Sequence, residues 1–192
     1  MSPVEFASGC PRPAPSLSRR RLLGGLAAAA GLLALFPRRA LALRGGERRL
    51  FLLDTHSGER LEVTYFRDGA YLGDALDRLD GFLRDFRTGE RHRMDPALLD
   101  LLHELALATS SAAPFQVVSG YRSPQTNAAL RARGGGQARH SLHMEGRAID
   151  VRLADVPSEA LRDAALALSR GGVGFYRAED FVHVDTGRVR RW

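Results

Sequence analysis

The stretch HSLHMEGRAID concentrates side chains that can bind a metal ion. His143 stands just before an apolar, strand-like run that contains Asp150, and His183 lies in a second such run, EDFVHVD. Catalytic zinc sites usually take three ligands from histidine and aspartate or glutamate and leave one position for water. If the two strands pair, these three side chains converge, and the small residues Gly146 and Ala148 help the chain to fold back tightly. By spacing alone, a surface turn with solvated histidines remains the alternative.

The flanking sequence predicts an α+β domain with a small, mostly antiparallel sheet flanked by helices, and with the candidate metal site on the sheet. Strand patterns are found at Leu50–Thr55 and Arg60–Phe66 (a hairpin with its turn at Ser57-Gly58), at Phe115–Val118, at Arg147–Leu153, and in VGFYR and FVHVDTG. Four helices are predicted: one in YLGDALDRLDGFLRDFRTG ended by Gly89, one after the cap Asp95, one from Pro124 ended by Gly134, and one over Pro157–Arg170.

The N-terminal region has the layout of an export signal. Three arginines at positions 19–21 precede an apolar run, which is followed by the small-x-small sequence Ala40-Leu41-Ala42. The apolar run is shorter than the roughly 20 residues that a membrane-spanning helix needs. The paired arginines followed by two leucines resemble a twin-arginine signal, which is read by a receptor. We therefore expect a signal peptide over residues 1–42 and one domain over residues 43–192, with an uncleaved anchor as the alternative.

This segment also holds most of the excess positive charge. The full chain has 28 basic residues, all of them arginine, and a net charge of +6. Six of these arginines and one acidic residue lie within residues 1–42, so that the remainder has a charge near +1. A nucleic-acid partner is therefore not expected. The one cysteine, Cys10, lies in the same segment, so the domain is expected to be stabilised by its core and a metal rather than by disulfides.

Three motifs, in order, carry a resemblance to a known family. They are SGYRS, then SLHMEGRAID, then the late histidine of DFVHVD, and a looser match extends back to about Leu50. The set resembles the M15 family of zinc peptidases and is similar, within it, to the DUF882 branch that includes murein endopeptidase K. The resemblance implies the hedgehog/D-Ala-D-Ala peptidase-like fold, one Zn²⁺ per chain, and His143, Asp150 and His183 as the zinc ligands.

The resemblance also implies roles for other residues. Arg122, in the first motif, would hold a carboxylate or carbonyl of the substrate, because its planar fork can donate two hydrogen bonds; a structural role before the next helix is the alternative. The family places a glutamate, as general base, three residues before the last histidine ligand, where this chain has Asp180. Asp185 is a rival, since residues two apart in a strand share a face with His183. There it would act as base or orient the histidine ring.

The resemblance, with which the export signal agrees, implies a zinc-dependent murein endopeptidase that hydrolyses peptide cross-links of the cell wall. Its partners would be peptidoglycan peptides, and its location the periplasm, reached by the twin-arginine route and without a stable membrane span in the mature form. A D-alanyl-D-alanine carboxypeptidase is one alternative. A catalytically silent, zinc-containing cell-wall-binding module is another, because the glutamate before His183 is missing. His140, Glu145 and Glu179 are expected to be peripheral, with a substrate or proton role for His140 left open.

Overall fold

The computed structural model describes residues 46–134 and 136–192, and the predicted signal peptide lies outside this range. The elements are, in chain order, β1 (Arg48–Asp54), β2 (Arg60–Arg67), β3 (Ala70–Tyr71), α1 (Gly73–Phe82), α2 (Pro96–Thr109), β4 (Phe115–Ser119), α3 (Pro124–Ala132), a 3₁₀ turn (Leu142–Glu145), β5 (Ala148–Arg152), α4 (Ser158–Leu168), β6 (Gly172–Tyr176), β7 (Phe181–Asp185) and β8 (Arg190–Arg191).

All eight strands form one mixed sheet in the order β3-β2-β1-β4-β5-β7-β6-β8. Two of its pairings are parallel, β1 with β4 and β6 with β8, and the others are antiparallel. The predicted α+β class, with a mostly antiparallel sheet and the candidate metal site on that sheet, is confirmed. The sheet is larger than expected because β3 and β8, each of two residues, are too short to leave a periodic pattern in the sequence.

The two faces of the sheet have different chemistry. Side chains alternate between the faces of a strand, and the odd residues of β5 and the even residues of β7 belong to the hydrophobic core: Ile149, Val151, Val182 and Val184. Helix α2 packs against β1, α4 packs against β6 and β7, and the two helices contact each other. The residues between the core residues, which include Asp150 and His183, therefore point away from that core.

Two helices begin where their cap signals predict. The side chain of Asp95 accepts a hydrogen bond from the backbone of Ala97 ahead of α2, and Ser123 accepts one from Thr126 ahead of α3. In both helices a proline occupies the first turn, where its missing N–H costs nothing. The second cap fixes the direction of the chain directly after Arg122, which is one of the predicted site residues.

The predicted end of the first helix is wrong. Helix α1 ends at Phe82, seven residues before Gly89. The chain leaves the helix because the carbonyl of Leu83 accepts the backbone N–H of Tyr121, and the carboxylate of Asp85 binds Ser123. Gly89 instead closes a turn by donating to the carbonyl of Asp85. Tertiary contacts thus override the helical period.

The last helix is also shorter than predicted. Helix α4 ends at Leu168, and Ser169 takes the left-handed capping conformation that was expected near Gly171. Gly171 is needed for another reason, because a side chain there would collide with the backbone of Asp185. In residues 46–134 and 136–192, no helix is long and apolar enough to cross a membrane.

Candidate metal centre

Strand register brings two of the predicted ligands together. In the antiparallel pairing of β5 with β7, Asp150 lies directly opposite His183. Side chains at such cross-strand positions on one face lie about 5 Å apart at Cβ. Ala148 lies opposite Asp185 in the same register, and both residues are fully buried.

His143 reaches the pair from the 3₁₀ turn that precedes β5. The turn ends at Gly146, which has a left-handed backbone with φ of 66°. Its carbonyl accepts the backbone N–H of Asp95, which ties the turn to the start of α2. The turn also holds the preceding motif, because Arg122 donates its backbone N–H to the carbonyl of His143. The sequence did not predict this turn, although it predicted the need for a small residue at position 146.

The three candidate ligand atoms form a compact triangle. His143 Nε2 lies 3.3 Å from Asp150 Oδ1 and 3.2 Å from His183 Nδ1, and His183 Nδ1 lies 2.8 Å from Asp150 Oδ1. All three residues are buried. In a tetrahedral site with bonds of about 2.0–2.2 Å, neighbouring ligand atoms lie about 3.3–3.6 Å apart. The triangle therefore fits one face of such a site after a small opening, and the group could hold a metal ion.

Both histidines are oriented by a second hydrogen bond. His143 Nδ1 lies 2.8 Å from the carbonyl of Gly120, and His183 Nε2 lies 3.0 Å from Asp185 Oδ2. If these two nitrogens carry the protons, the facing nitrogens present lone pairs to the centre of the triangle. Such outer partners fix the tautomer and the ring orientation of metal-binding histidines.

The charges of the triad are mutually dependent. Burial opposes ionisation of Asp150, but the charge and hydrogen bonds of the two histidines outweigh it and hold the pKa of the carboxyl well below its usual range. Burial likewise opposes protonation of His183, but hydrogen bonds to Asp150 and Asp185 raise its pKa. A divalent cation bound by the triad would replace the proton on His183 as the positive charge beside the Asp150 carboxylate.

Comparison with known proteins identifies the family. The family model described as peptidoglycan L,D-endopeptidase MepK matches residues 43–192, which is most of the chain. The chain belongs to this family.

Curated relatives cover nearly the whole sequence. The peptidoglycan L,D-endopeptidase MepK of Escherichia coli (strain K12) is 38% identical over 177 residues, which span 91% of this chain and 97% of the relative. The probable MepK of Haemophilus influenzae is 37% identical over 173 residues, spanning 88% and 91%. A solved structure, the L-Ala D-Glu endopeptidase ChiX of Serratia marcescens, is 22% identical, covers 40% of this chain and 62% of that chain, and has a TM-score of 0.33. That likeness is too low to carry an argument.

In this MepK-family chain the triad lines an open cavity of about 380 Å³. Its other walls come from the segment before the 3₁₀ turn, from Arg122, and from β6, β7 and the C-terminal residues. His140 lines the cavity, whereas Glu145 and Glu179 do not. Glu145 instead forms an exposed ion pair with Arg147. Of the residues expected to be peripheral, His140 is the one that lies beside the triad.

Arg122 lies next to the triad. Its guanidinium Nη2 is 3.5 Å from Asp150 Oδ2 and 3.4 Å from the hydroxyl of Ser119. Burial lowers the pKa of this guanidinium, and the charge of Asp150 opposes that shift. Its Nε is buried without a hydrogen-bond partner among the described residues. An unsatisfied buried donor is costly, so an acceptor for this Nε would stabilise the side chain.

The two candidate bases lie in different surroundings, and neither lines the cavity. Asp185 is fully buried behind His183, and its carboxylate accepts hydrogen bonds from Arg190, from two backbone N–H groups and from the His183 ring. Burial opposes its ionisation, but these bonds dominate and lower its pKa well below the usual range. Asp180 is exposed in the turn before β7, with φ of 53°, and accepts a hydrogen bond from Ser158 at the start of α4.

Gly146→Ala is expected to destabilise the domain by about 2–4 kcal/mol. Its left-handed φ costs an alanine about 1 kcal/mol, and the added Cβ would lie 2.2 Å from the carbonyl oxygen of Arg93, an overpacking worth about 1–3 kcal/mol more. Gly69→Ala is the matched control, because Gly69 has φ of 82° and open space around it. Urea unfolding of the metal-free proteins gives both values. Equal losses for the two variants would contradict the steric argument.

Asp85 is a second residue that supports the site, and the sequence did not single it out. It is buried and accepts hydrogen bonds from the backbone N–H and the hydroxyl of Ser123, 2.9 and 2.7 Å away. Burial opposes its ionisation, but hydrogen bonds from Thr126 and Ser123 outweigh this and lower its pKa to about 2. The carboxylate thereby fixes the turn that follows Arg122.

Asp85→Asn is expected to lower the free energy of unfolding by about 2–3 kcal/mol at neutral pH. The folded-state pKa is depressed, so this stabilisation is present above about pH 4 and decreases as the pH falls toward 2. The difference between parent and variant should therefore roughly halve by pH 3. Urea unfolding at pH 6 and pH 3 measures it. The control is Asp77→Asn, an exposed aspartate of α1, for which a change within about 0.5 kcal/mol is expected.

Proposed function

We propose that this chain is a metal-dependent peptidoglycan endopeptidase that hydrolyses L,D peptide bonds of the cell wall. The observation that carries the proposal is the buried triad of His143, Asp150 and His183 beside an open cavity. The name of the family and of the curated relatives supplies the substrate and the class of bond. Peptidoglycan peptides are thus the proposed partners, and nucleic acid is not.

The donor set favours Zn²⁺ as the ion, with one ion per chain. Two imidazole nitrogens and one carboxylate oxygen are the ligands that catalytic zinc commonly takes, with the remaining position open to water or substrate. His143, Asp150 and His183 would hold the ion, which would polarise the scissile carbonyl and lower the pKa of a water molecule toward 7. The burial of all three ligands and the outer hydrogen bonds to Gly120 and Asp185 support a preformed site.

Arg122 is proposed to bind the substrate. It lines the same cavity as the triad and has a buried Nε without a partner among the described residues. Because a guanidinium presents two parallel donors, it can hold a carbonyl or carboxylate of the peptide in a fixed orientation. Its Nη2 lies 3.5 Å from Asp150 Oδ2, so a peptide held by Arg122 would lie beside the triad.

For the general base we propose Asp180 rather than Asp185. Every described hydrogen bond of Asp185 serves to hold His183, Arg190 and the neighbouring backbone, and the residue has no exposed surface through which to exchange a proton with water. Asp180 is exposed and three residues before His183, and its one described side-chain bond is to Ser158. Because it does not line the cavity, it would have to leave this bond and turn toward the triad, where it would accept the proton of the attacking water and pass it to the leaving amine.

The proposed location is the periplasm. The substrate lies outside the cytoplasm, and residues 1–42 have the layout of a signal peptide of the twin-arginine type. The proposed domain comprises residues 43–192, which are the residues that the family model matches.

The test uses purified muropeptides of defined cross-linkage. Zinc-loaded protein should convert dimers joined by an L,D bond to monomers, and a chelator should stop the reaction. Stem-peptide monomers ending in D-Ala-D-Ala serve as the second substrate. Release of D-alanine from monomers, with dimers intact, would identify a carboxypeptidase instead. Binding to sacculi with zinc bound and no product from either substrate would indicate the silent module.

A further inference from the structure

The C-terminal strand β8 lies against the candidate metal site. It pairs in parallel with β6, with Arg190 beside Gly172, and the pairing continues through Trp192, whose backbone bonds to Val173 and Phe175. These hydrogen bonds hold two side chains, those of Arg190 and Trp192, in the wall of the cavity that the triad lines.

Arg190 holds the carboxylate that orients His183. Its Nη1 lies 3.0 Å from Asp185 Oδ1 and its Nη2 lies 2.7 Å from Asp185 Oδ2. That second oxygen also accepts from His183 Nε2, at 3.0 Å. The backbone N–H groups of Gly172 and Gly187 complete the shell around Oδ1. A bidentate arginine fixes both the position and the plane of a carboxylate, and through it the rotation of the imidazole ring.

Trp192 contacts both His183 and Arg190. Its ring lies 5.2 Å from the ring of His183, the guanidinium carbon of Arg190 lies 4.9 Å from the indole ring, and its Nε1 donates to the hydroxyl of Tyr176 at 3.1 Å. Gly174, opposite His183 in the sheet, provides the space for the indole, since a Cβ there would lie 2.6 Å from it. Arg190 of β8 therefore holds the Asp185 carboxylate that contacts the His183 ring, and Trp192, the residue after β8, contacts the ring itself.

We propose that Arg190 and Trp192 are positioning residues for His183. Arg190 acts through Asp185 to keep Nε2 of His183 as the donor and Nδ1 as the atom that faces the triangle, and Trp192 packs against Arg190 and against the ring of His183. This inference rests on the metal site of the proposed function, but it concerns metal affinity and coordination geometry and does not depend on which bond the protein cleaves.

The test measures metal binding in Arg190→Gln. Competition with a chromophoric chelator should give a Zn²⁺ affinity about 10–100-fold lower than in the parent chain, the usual loss when an outer partner of a metal ligand is removed. The d–d absorption of the Co²⁺-substituted protein should change as well, because the ring of His183 is no longer held. Arg190→Lys keeps the charge without the fork and should recover part of the affinity.

Arg191→Gln is the matched control. Arg191 is the next residue of the same strand, is exposed, and does not line the cavity of the triad. Parent affinity and spectrum are expected for this variant. If Arg190→Gln binds Zn²⁺ as tightly as Arg191→Gln and with the same Co²⁺ spectrum, the inference is wrong. A parent chain that binds no Zn²⁺ would overturn the proposed function and this inference together.

A loss of folding in Arg190→Gln is separated from a loss of positioning by thermal unfolding of the metal-free proteins. Trp192→Phe is the second test variant, since it keeps an apolar ring beside His183 but removes the bond to Tyr176. A several-fold loss of Zn²⁺ affinity at an unchanged metal-free melting temperature is expected. Parent affinity in both Trp192→Phe and Arg190→Lys would overturn the inference even if Arg190→Gln does not fold.

Discussion

His143→Ala is expected to abolish zinc binding. The rate of hydrolysis of cross-linked muropeptides should then fall by about 1,000-fold or more. His143 Nε2 is one corner of the ligand triangle and lies 3.3 Å from Asp150 Oδ1 and 3.2 Å from His183 Nδ1. Its removal leaves two ligands, fewer than the three that hold catalytic zinc. The remaining side chains then lack the ion that polarises the carbonyl and activates water.

The same variant should separate metal binding from folding. Zinc at 100 times its dissociation constant adds about 2.7 kcal/mol to the stability of a protein that binds it only when folded. The melting temperature of the parent should therefore rise on addition of zinc, and that of His143→Ala should not. The control is His140→Ala, a histidine of the same cavity that is not part of the triad. Stoichiometric zinc in His143→Ala, or its loss in His140→Ala, would contradict the proposed ligand set.

The convergence of these ligands could be anticipated from the sequence because it depends on local patterns. Two apolar strands, each with one polar ligand between core residues, can pair so that both ligands lie on one face. The structure has this arrangement, with Asp150 opposite His183. The small residue at position 146 was predicted for the same reason, although the 3₁₀ turn that requires its left-handed backbone was not.

Interactions between distant segments could not be anticipated in this way. The sequence places Asp185 on the same face as His183, but only the structure shows that Arg190 holds its carboxylate from behind. Strand β8 has two residues, too few for a periodic pattern. Helix α1 ends early because a carbonyl near its end pairs with Tyr121, 38 residues later in the chain. In each case the deciding partner is remote in sequence.

Asp180→Asn is expected to lower kcat by about 100- to 10,000-fold without changing zinc affinity. General acid–base catalysis by a positioned side chain contributes about this factor, and the described hydrogen bonds of Asp180 include none to the triad. Asp185→Asn should behave differently, since it alters the partner of His183 Nε2 and is expected to reduce zinc affinity about 10–100-fold. Rates at saturating zinc and chelator competition measure the two effects separately.

Two further variants decide how Asp180 reaches the substrate. Ser158→Ala removes the hydroxyl that holds the Asp180 carboxylate, so kcat should be retained or raised if Asp180 must leave this bond to act. His140→Gln tests the other titratable side chain that lines the cavity beside the triad. If His140→Gln loses the activity with zinc still bound while Asp180→Asn keeps it, the proton passes through the histidine. In that case Asp180 serves only to hold the turn between β6 and β7 against α4.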